Sequence, residues 1–205
     1  MSSIRGVYGA PPLDLGHYEV GTDEMMLYQY LPIKMAHCPC IRVPLNLDWV
    51  VPLLDGIQYE LDDYVYLTAK RMYATKHYKG NRAGWHSDGF LTDDVSYIWY
   101  DSHPTEFAIQ QFEITPDCDV SLKEFEEQVD IDKIVTYPNK HLLALDQSVI
   151  HRVSESDEEG MRTFVKINVS KDKYNLKGNS HNYLFDYNWE MLDRQVERNH
   201  PHKES

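Results

Sequence analysis

Apolar and polar residues alternate along much of the middle of this chain, and a period of two marks half-buried β-strands. From Met161 to Val169, the residues Thr163, Val165, Ile167 and Val169 fall on one face; Arg162, Phe164, Lys166 and Asn168 fall on the other. Tyr64 to Ala74 and Val95 to Tyr100 are rich in β-branched and aromatic residues and predict two more strands. Glu106 to Ile114 predicts another, with Phe107, Ile109 and Gln111 opposed to Ala108, Gln110 and Phe112. Lys133 to Pro138, Leu142 to Leu145 and Val149 to Val153 complete the set. Turn chemistry separates these runs at Lys79-Gly-Asn-Arg-Ala-Gly84, at Asp146-Gln-Ser148 and from Ser154 to Gly160.

Helical patterning is sparse. Ser121-Leu-Lys-Glu124 reads as a capping box opening a short helix, with Leu122, Phe125 and Val129 along one stripe. Tyr187 to Arg198 predicts a terminal helix. Asn46 to Asp55 is mostly apolar, but Pro52 argues against an uninterrupted helix there. Residues 1–40, rich in Gly, Pro and Tyr, give no assignment. Many short strands with helices mainly at the ends predict a mainly β fold, a double-sheet jelly roll. At 205 residues one domain is expected, with a flanking segment 1–60, a core 61–170 and a polar segment with a helix 171–205.

Composition narrows the function. Apolar content of 42% and charged content of 26% are ordinary for a soluble domain. No apolar run has the length of a membrane span, and Met1-Ser-Ser-Ile-Arg5 lacks the apolar stretch of a signal peptide. Cys38, Cys40 and Cys118 are too few for a disulfide framework or a Cys-rich zinc site, so a reducing, cytoplasmic setting is expected. A net charge of −13 opposes a broad electrostatic grip on nucleic acid or anionic lipid. The charge is uneven, however. Lys70, Arg71, Lys76, Lys79 and Arg82 lie together with no acid between them, whereas Glu106 to Asp132 carries nine acids against Lys123 alone. The basic run reads either as a solvated face or as a cationic rim for an anionic ligand.

That rim adjoins the most suggestive motif. His86-Ser-Asp88 stands where a strand pattern enters a Gly-bearing loop, and His151 and Arg162 follow far downstream. Chance alone gives about 1.6 His-x-acid triplets in a chain of this composition, so spacing has to be read in its strand context. His17-Tyr-Glu19 and His202-Lys-Glu204 are the other two triplets, and neither stands beside a clear strand. Two imidazoles and a carboxylate can cover one face of an octahedral mid-row metal and leave the other face open, the ligand set of non-heme Fe(II) oxygenases. A structural zinc site would want four protein ligands, usually including Cys. Arg162, on the polar-carrying face of its strand, could hold a carboxylate bidentately, although a salt bridge to an acid is its plainer role.

On His86-x-Asp88, His151 and Arg162 in this order, the stretch from Tyr64 to Ser170 resembles the 2-oxoglutarate/Fe(II)-dependent dioxygenase superfamily. The resemblance implies a double-stranded β-helix, Fe(II) held by His86, Asp88 and His151, and 2-oxoglutarate as co-substrate. It implies O2-dependent decarboxylation of 2-oxoglutarate to succinate, coupled to oxidation of a substrate C–H bond. In the prolyl-hydroxylase-like branch a tyrosine on the strand after His-x-Asp meets the distal carboxylate of 2-oxoglutarate, and Tyr100 is the nearest match. Many relatives carry Ser or Thr two residues after the arginine, where this chain has Phe164.

The −13 charge favours a small-molecule, amino-acid or peptide substrate, with Arg82 and Lys76 as candidate contacts. The alternatives are a nucleotide or nucleobase oxygenase using the same basic rim, a metal-binding jelly-roll sensor without turnover, and a metal-dependent hydrolase. The last leaves Arg162 without a role.

Overall fold

The computed structural model describes residues 7–155 and 157–194. Ten strands form two antiparallel sheets, so the chain is mainly β. The strands are β1 (Leu13–His17), β2 (Met26–Lys34), β3 (Tyr64–Ala74), β4 (His86–Ser87) and β5 (Val95–Tyr100). They continue with β6 (Thr105–Ala108), β7 (Ile134–Thr136), β8 (His141–Leu145), β9 (Ile150–Val153) and β10 (Gly160–Ser170). The larger sheet runs β1-β8-β5-β10-β3-β2 and the smaller β4-β9-β6-β7.

β10 is the spine of the larger sheet. It pairs with β3 from Gly160↔Ala74 to Ser170↔Tyr64, and with β5 from Phe164↔Tyr100 to Val169↔Val95. Its alternation sends Val165, Ile167 and Val169 into a cluster with Leu31, Ile33, Val65, Leu67 and Trp99. Leu47, Val50 and Leu53 close over that cluster from a 3-10 helix, Leu45–Gly56. Their spacing of three residues suits a helix with three residues per turn, which resolves the apolar run that Pro52 excluded from a regular α-helix. On the opposite face, Ile98, Tyr100, Leu143, Leu145 and Phe164 meet Phe107 of the smaller sheet. The two sheets therefore pack through this second cluster, and the site opens beside it.

Three expectations are corrected. The strand predicted over Glu106 to Ile114 stops at Ala108. Beyond it, Gln110 turns its amide to the backbone, donating to the Gln128 carbonyl (2.7 Å) and accepting from the Asp130 N–H (2.7 Å). The helix α1 (Cys118–Gln128) starts earlier than Ser121, because the Asp117 carboxylate accepts from Asp119 N and Val120 N. Ser121 lies within the helix, its hydroxyl donating to the Cys118 carbonyl, and Glu124 instead accepts from Thr115 N and Oγ1. Asp117→Ala is expected to cost about 1 kcal/mol of stability, read from the urea midpoint. The helix predicted over Tyr187 to Arg198 is absent from its described part, where Leu192 instead forms a parallel bridge with Leu176. The rest of that prediction lies outside the described residues.

β1 and β2 arise in the segment whose composition gave no assignment. β2 carries a bulge between Tyr28 and Leu31, with Tyr30 in the left-handed region at φ 46°. An aromatic residue in that conformation is uncommon, and a bulge re-aims the side chain it carries. Here Tyr30 N donates to Thr68 Oγ1 (3.0 Å) and the Tyr30 ring turns toward the cavity between the sheets. Among the described residues, no helix is long and apolar enough to cross a membrane.

Candidate metal centre

His86 on β4 and His151 on β9 are register partners in the smaller sheet, and their rings lie 4.5 Å apart by centroid. Asp88 follows two residues after His86, the local spacing that puts side chains i and i+2 on one side of an extended chain. Gly89 then turns the chain at φ 65°; a Cβ there would come within 2.9 Å of both Asp94 Cβ and Thr92 Oγ1. The strand is held at both ends, Trp85 N donating to Glu126 Oε1 (2.6 Å) and Ser87 Oγ to the Gln147 carbonyl (2.6 Å). His86, Asp88 and His151 each present a ligand atom, and these three atoms lie within 4.8 Å of one another.

The imidazoles are oriented for ligation. His86 Nδ1 lies 2.8 Å from the Gly84 carbonyl and His151 Nδ1 lies 3.2 Å from the Val149 carbonyl. A carbonyl can only accept, so each Nδ1 carries the proton and each neutral ring keeps a lone pair on Nε2. Burial drives His86 down to about 3, with the neighbouring His151 adding to the effect, and burial lowers His151 as well. Both rings are therefore neutral at physiological pH, the form that binds metal.

Asp88 is one-fifth exposed and carries the opposite logic. Burial would raise its carboxyl, but the Lys166 ammonium outweighs that and holds it below the ordinary carboxylate range. Lys166 Nζ donates to Asp88 Oδ2 (3.1 Å) and to the Tyr30 hydroxyl (2.9 Å), while His151 Nε2 stands 3.8 Å from the same carboxylate. Lys166 thus supplies a counter-charge to Asp88, the only acid among the described residues that line the cavity.

The cavity holds about 140 Å3 and is walled by both sheets. Arg82 lines it, together with Lys70, Arg152 and Lys166. Lys76 does not; it is exposed and pairs with Asp157 at 3.1 Å. Arg162 and Tyr100 are also absent from the lining. Arg162 is 2% exposed, donates to the carbonyls of Lys79 (3.1 Å) and Ser102 (3.3 Å), and stacks its guanidinium on the Phe164 ring at 5.0 Å. Its Nη2 is buried without a partner among the described residues. Tyr100 is buried, and its hydroxyl donates to the Tyr137 carbonyl at 3.3 Å. The structure therefore gathers His86, Asp88, His151 and Arg82 at one cavity, and leaves Arg162 and Tyr100 outside its lining.

Tyr30 and Thr68 carry no sequence signal of their own, and Lys70 only its place in the basic run. Tyr30 arrives through the bulge, and Thr68 and Lys70 through pairing of β3 with β10. Asn168 receives a hydrogen bond from Ser96 Oγ (2.7 Å) on β5, and its amide faces Asp94 Oδ2 (3.4 Å).

No family model matches the chain, and no curated protein matches it. Among solved structures, two of EvdO2 from Micromonospora carbonacea var. aurantiaca, one complexed with 2-oxoglutarate, resemble it. Each superposition has a TM-score of 0.33 at 15% identity and covers 53% of this chain and 52% of EvdO2. The chain thus spans about half the length of that protein. At this score the likeness carries nothing about activity, and the chemistry has to come from the side chains.

Proposed function

We propose that this chain is a non-heme Fe(II)/2-oxoglutarate-dependent dioxygenase on a double-stranded β-helix, oxidising a C–H bond of a small-molecule, amino-acid or peptide substrate. One observation carries the reading: two neutral imidazoles and one ionised carboxylate converge, with both Nε2 lone pairs left available by backbone carbonyls on Nδ1. That donor set fits a mid-row divalent cation and leaves part of an octahedral shell for other ligands. Among the described residues no fourth His, Cys, Asp or Glu joins the group, which argues against a closed structural zinc site.

When bound, Fe(II) with 2-oxoglutarate and O2 supplies the oxidising power, releasing succinate and CO2. The residues of the chain do the positioning. The Gly84 and Val149 carbonyls fix the tautomer and plane of the two rings, as outer partners of metal-bound histidines do. Lys166, steadied by the Tyr30 hydroxyl, holds the orientation of Asp88. Phe164, Ile98 and Phe90 supply apolar wall. The roles expected of Arg162 and Tyr100 do not enter this reading, since neither lines the cavity.

Anaerobic titration of Fe(II)-loaded protein with 2-oxoglutarate tests it. The expected result is a visible charge-transfer band that saturates at one equivalent. Stoichiometric Fe(II) binding without the band would leave a metal protein of another kind, a sensor or a hydrolase. No Fe(II) binding would remove the reading.

A further inference from the structure

On one side the cavity continues into a run of oxidisable rings. Thr68 lines it, and Tyr66 and Tyr64 extend the same face of β3 toward the start of the strand. Tyr30 and Tyr174 also line it, Tyr30 from the β2 bulge and Tyr174 from the segment after β10. Tyr30, Tyr66 and Tyr174 form a buried cluster against which Tyr64 and Trp189 pack. The neighbouring clusters use phenylalanine freely, with Phe90, Phe112 and Phe125 in one and Phe107 and Phe164 in the other. This cluster has none among the described residues. Each of its rings is a phenol or an indole, the aromatic side chains that lose an electron most readily.

The rings are close and in series. Centroids lie 4.9 Å apart from Tyr30 to Tyr174, 4.8 Å from Tyr174 to Tyr66 and 5.9 Å from Tyr66 to Tyr64. The run continues for 5.9 Å to Trp189 and a further 4.6 Å to Tyr187. Electron transfer slows steeply with distance, so several short steps outrun one long jump. At the inner end, the Lys166 ammonium bridges the Tyr30 hydroxyl (2.9 Å) and the Asp88 carboxylate (3.1 Å), which puts Tyr30 one side chain from a candidate metal ligand. At the outer end Trp189 and Tyr187 are partly exposed, whereas Tyr30, Tyr66 and Tyr174 are buried. One ring also has a base: the Tyr174 hydroxyl donates to the buried Asp94 carboxylate. Burial, with the Asp94 charge adding to it, pushes the Tyr174 phenol well above its usual range. That ring therefore releases its proton only together with an electron.

We infer that this aromatic series carries oxidising equivalents from the metal centre to the surface, with Tyr174 and Asp94 as its proton-coupled step. The inference rests on the redox-active metal of the reading above and adds a protective function, used when oxidant forms with no substrate to consume it. The oxidant is a peroxide at the metal centre; its O–O bond breaks as it takes two electrons, and two protons from solvent, to become water. Each electron leaves Tyr30 first. Tyr174 refills Tyr30 and passes its own phenolic proton to Asp94, becoming a neutral tyrosyl radical. An electron from the outer rings then restores the Tyr174 phenol, its proton returning from Asp94. The electron hole ends on Tyr187, which loses its phenolic proton to water. A soluble thiol refills it with one electron and one proton, and two such cycles leave one disulfide.

The test treats Fe(II)-loaded protein with equimolar hydrogen peroxide, without 2-oxoglutarate or substrate. Electron paramagnetic resonance on rapidly frozen samples reads the tyrosyl radical, and peptide mass spectrometry reads which side chains end up oxidised. Wild type should show the radical, oxidation at Trp189 and Tyr187, and intact His86 and His151. Tyr174→Phe keeps the stacked ring and removes the transferable proton. It should lose the radical and move oxidation to His86 and His151. Asp94→Asn should do the same with Tyr174 in place, and it carries the test should Tyr174→Phe fail to fold. Tyr97→Phe, in the core cluster on the far face of the larger sheet, should match wild type. Oxidation confined to the metal ligands in wild type, or one pattern shared by wild type and both variants, overturns the inference while the metal reading stands. Protein that binds no Fe(II) overturns both.

Discussion

Asp88→Ala abolishes divalent-metal binding while leaving both imidazoles in place: that is the largest effect expected of any single change in this chain. The carboxylate is the only anionic member of the group formed with His86 and His151. Two neutral rings alone retain little hold on Fe(II) or Mn(II). Loss of even an outer partner of a metal ligand costs roughly 10–100-fold, so removal of the ligand itself should exceed about 100-fold. Equilibrium dialysis against Mn(II) reads this without any assay of turnover. Asp88 also pairs with Lys166, so the single variant should lose stability as well as metal. Lys166→Met in the Asp88→Ala background removes the uncompensated ammonium and should recover thermal stability without recovering metal binding. A single variant with undiminished Mn(II) affinity would place the metal elsewhere.

Arg162→Ala should unfold the protein more readily than it changes ligand choice. The guanidinium is 2% exposed and supplies donors to two backbone carbonyls, and its removal opens a cavity against Phe164. Leaving two backbone carbonyls without a donor and a void against Phe164 costs about 2–5 kcal/mol, which should appear as a lowered urea midpoint. Affinity of the Fe(II)-loaded protein for 2-oxoglutarate should survive in the folded fraction. The opposite pattern, unchanged stability with lost 2-oxoglutarate affinity, would return Arg162 to the carboxylate-binding role its position on β10 first suggested.

Strands were legible wherever one face is apolar and the other is not. β10 alternates along its whole length, and β3 and β5 begin and end where their β-branched and aromatic runs do. β2 resisted because Pro32 and the bulge at Tyr30 break the period, and Gly16 weakens β1. At α1 the capping box was a true sequence pattern, but Asp117 offered a cap one turn earlier and took it. The His86-Asp88 spacing was readable because it is local; its partnership with His151 is a cross-strand pairing that order along the chain only suggests. Lys70 sat unresolved in a basic run whose members part company in three dimensions. Lys76 faces solvent, Arg82 reaches the cavity, and only the ladder opposite Phe164 shows where Lys70 goes.

The place of β10 in the larger sheet has a consequence for how the chain comes to be folded. It is the last strand among the described residues yet lies between β3 and β5, each of which pairs with it and not with the other. Until residue 170 has left the ribosome, both waiting strands keep an open, hydrogen-bond-hungry edge, a state prone to wrong partners and slow to resolve. Lys166 arrives on the same strand as the missing ladder. Nascent chains therefore gain the completed sheet and the cation beside Asp88 in one event, and premature termination before residue 160 leaves neither.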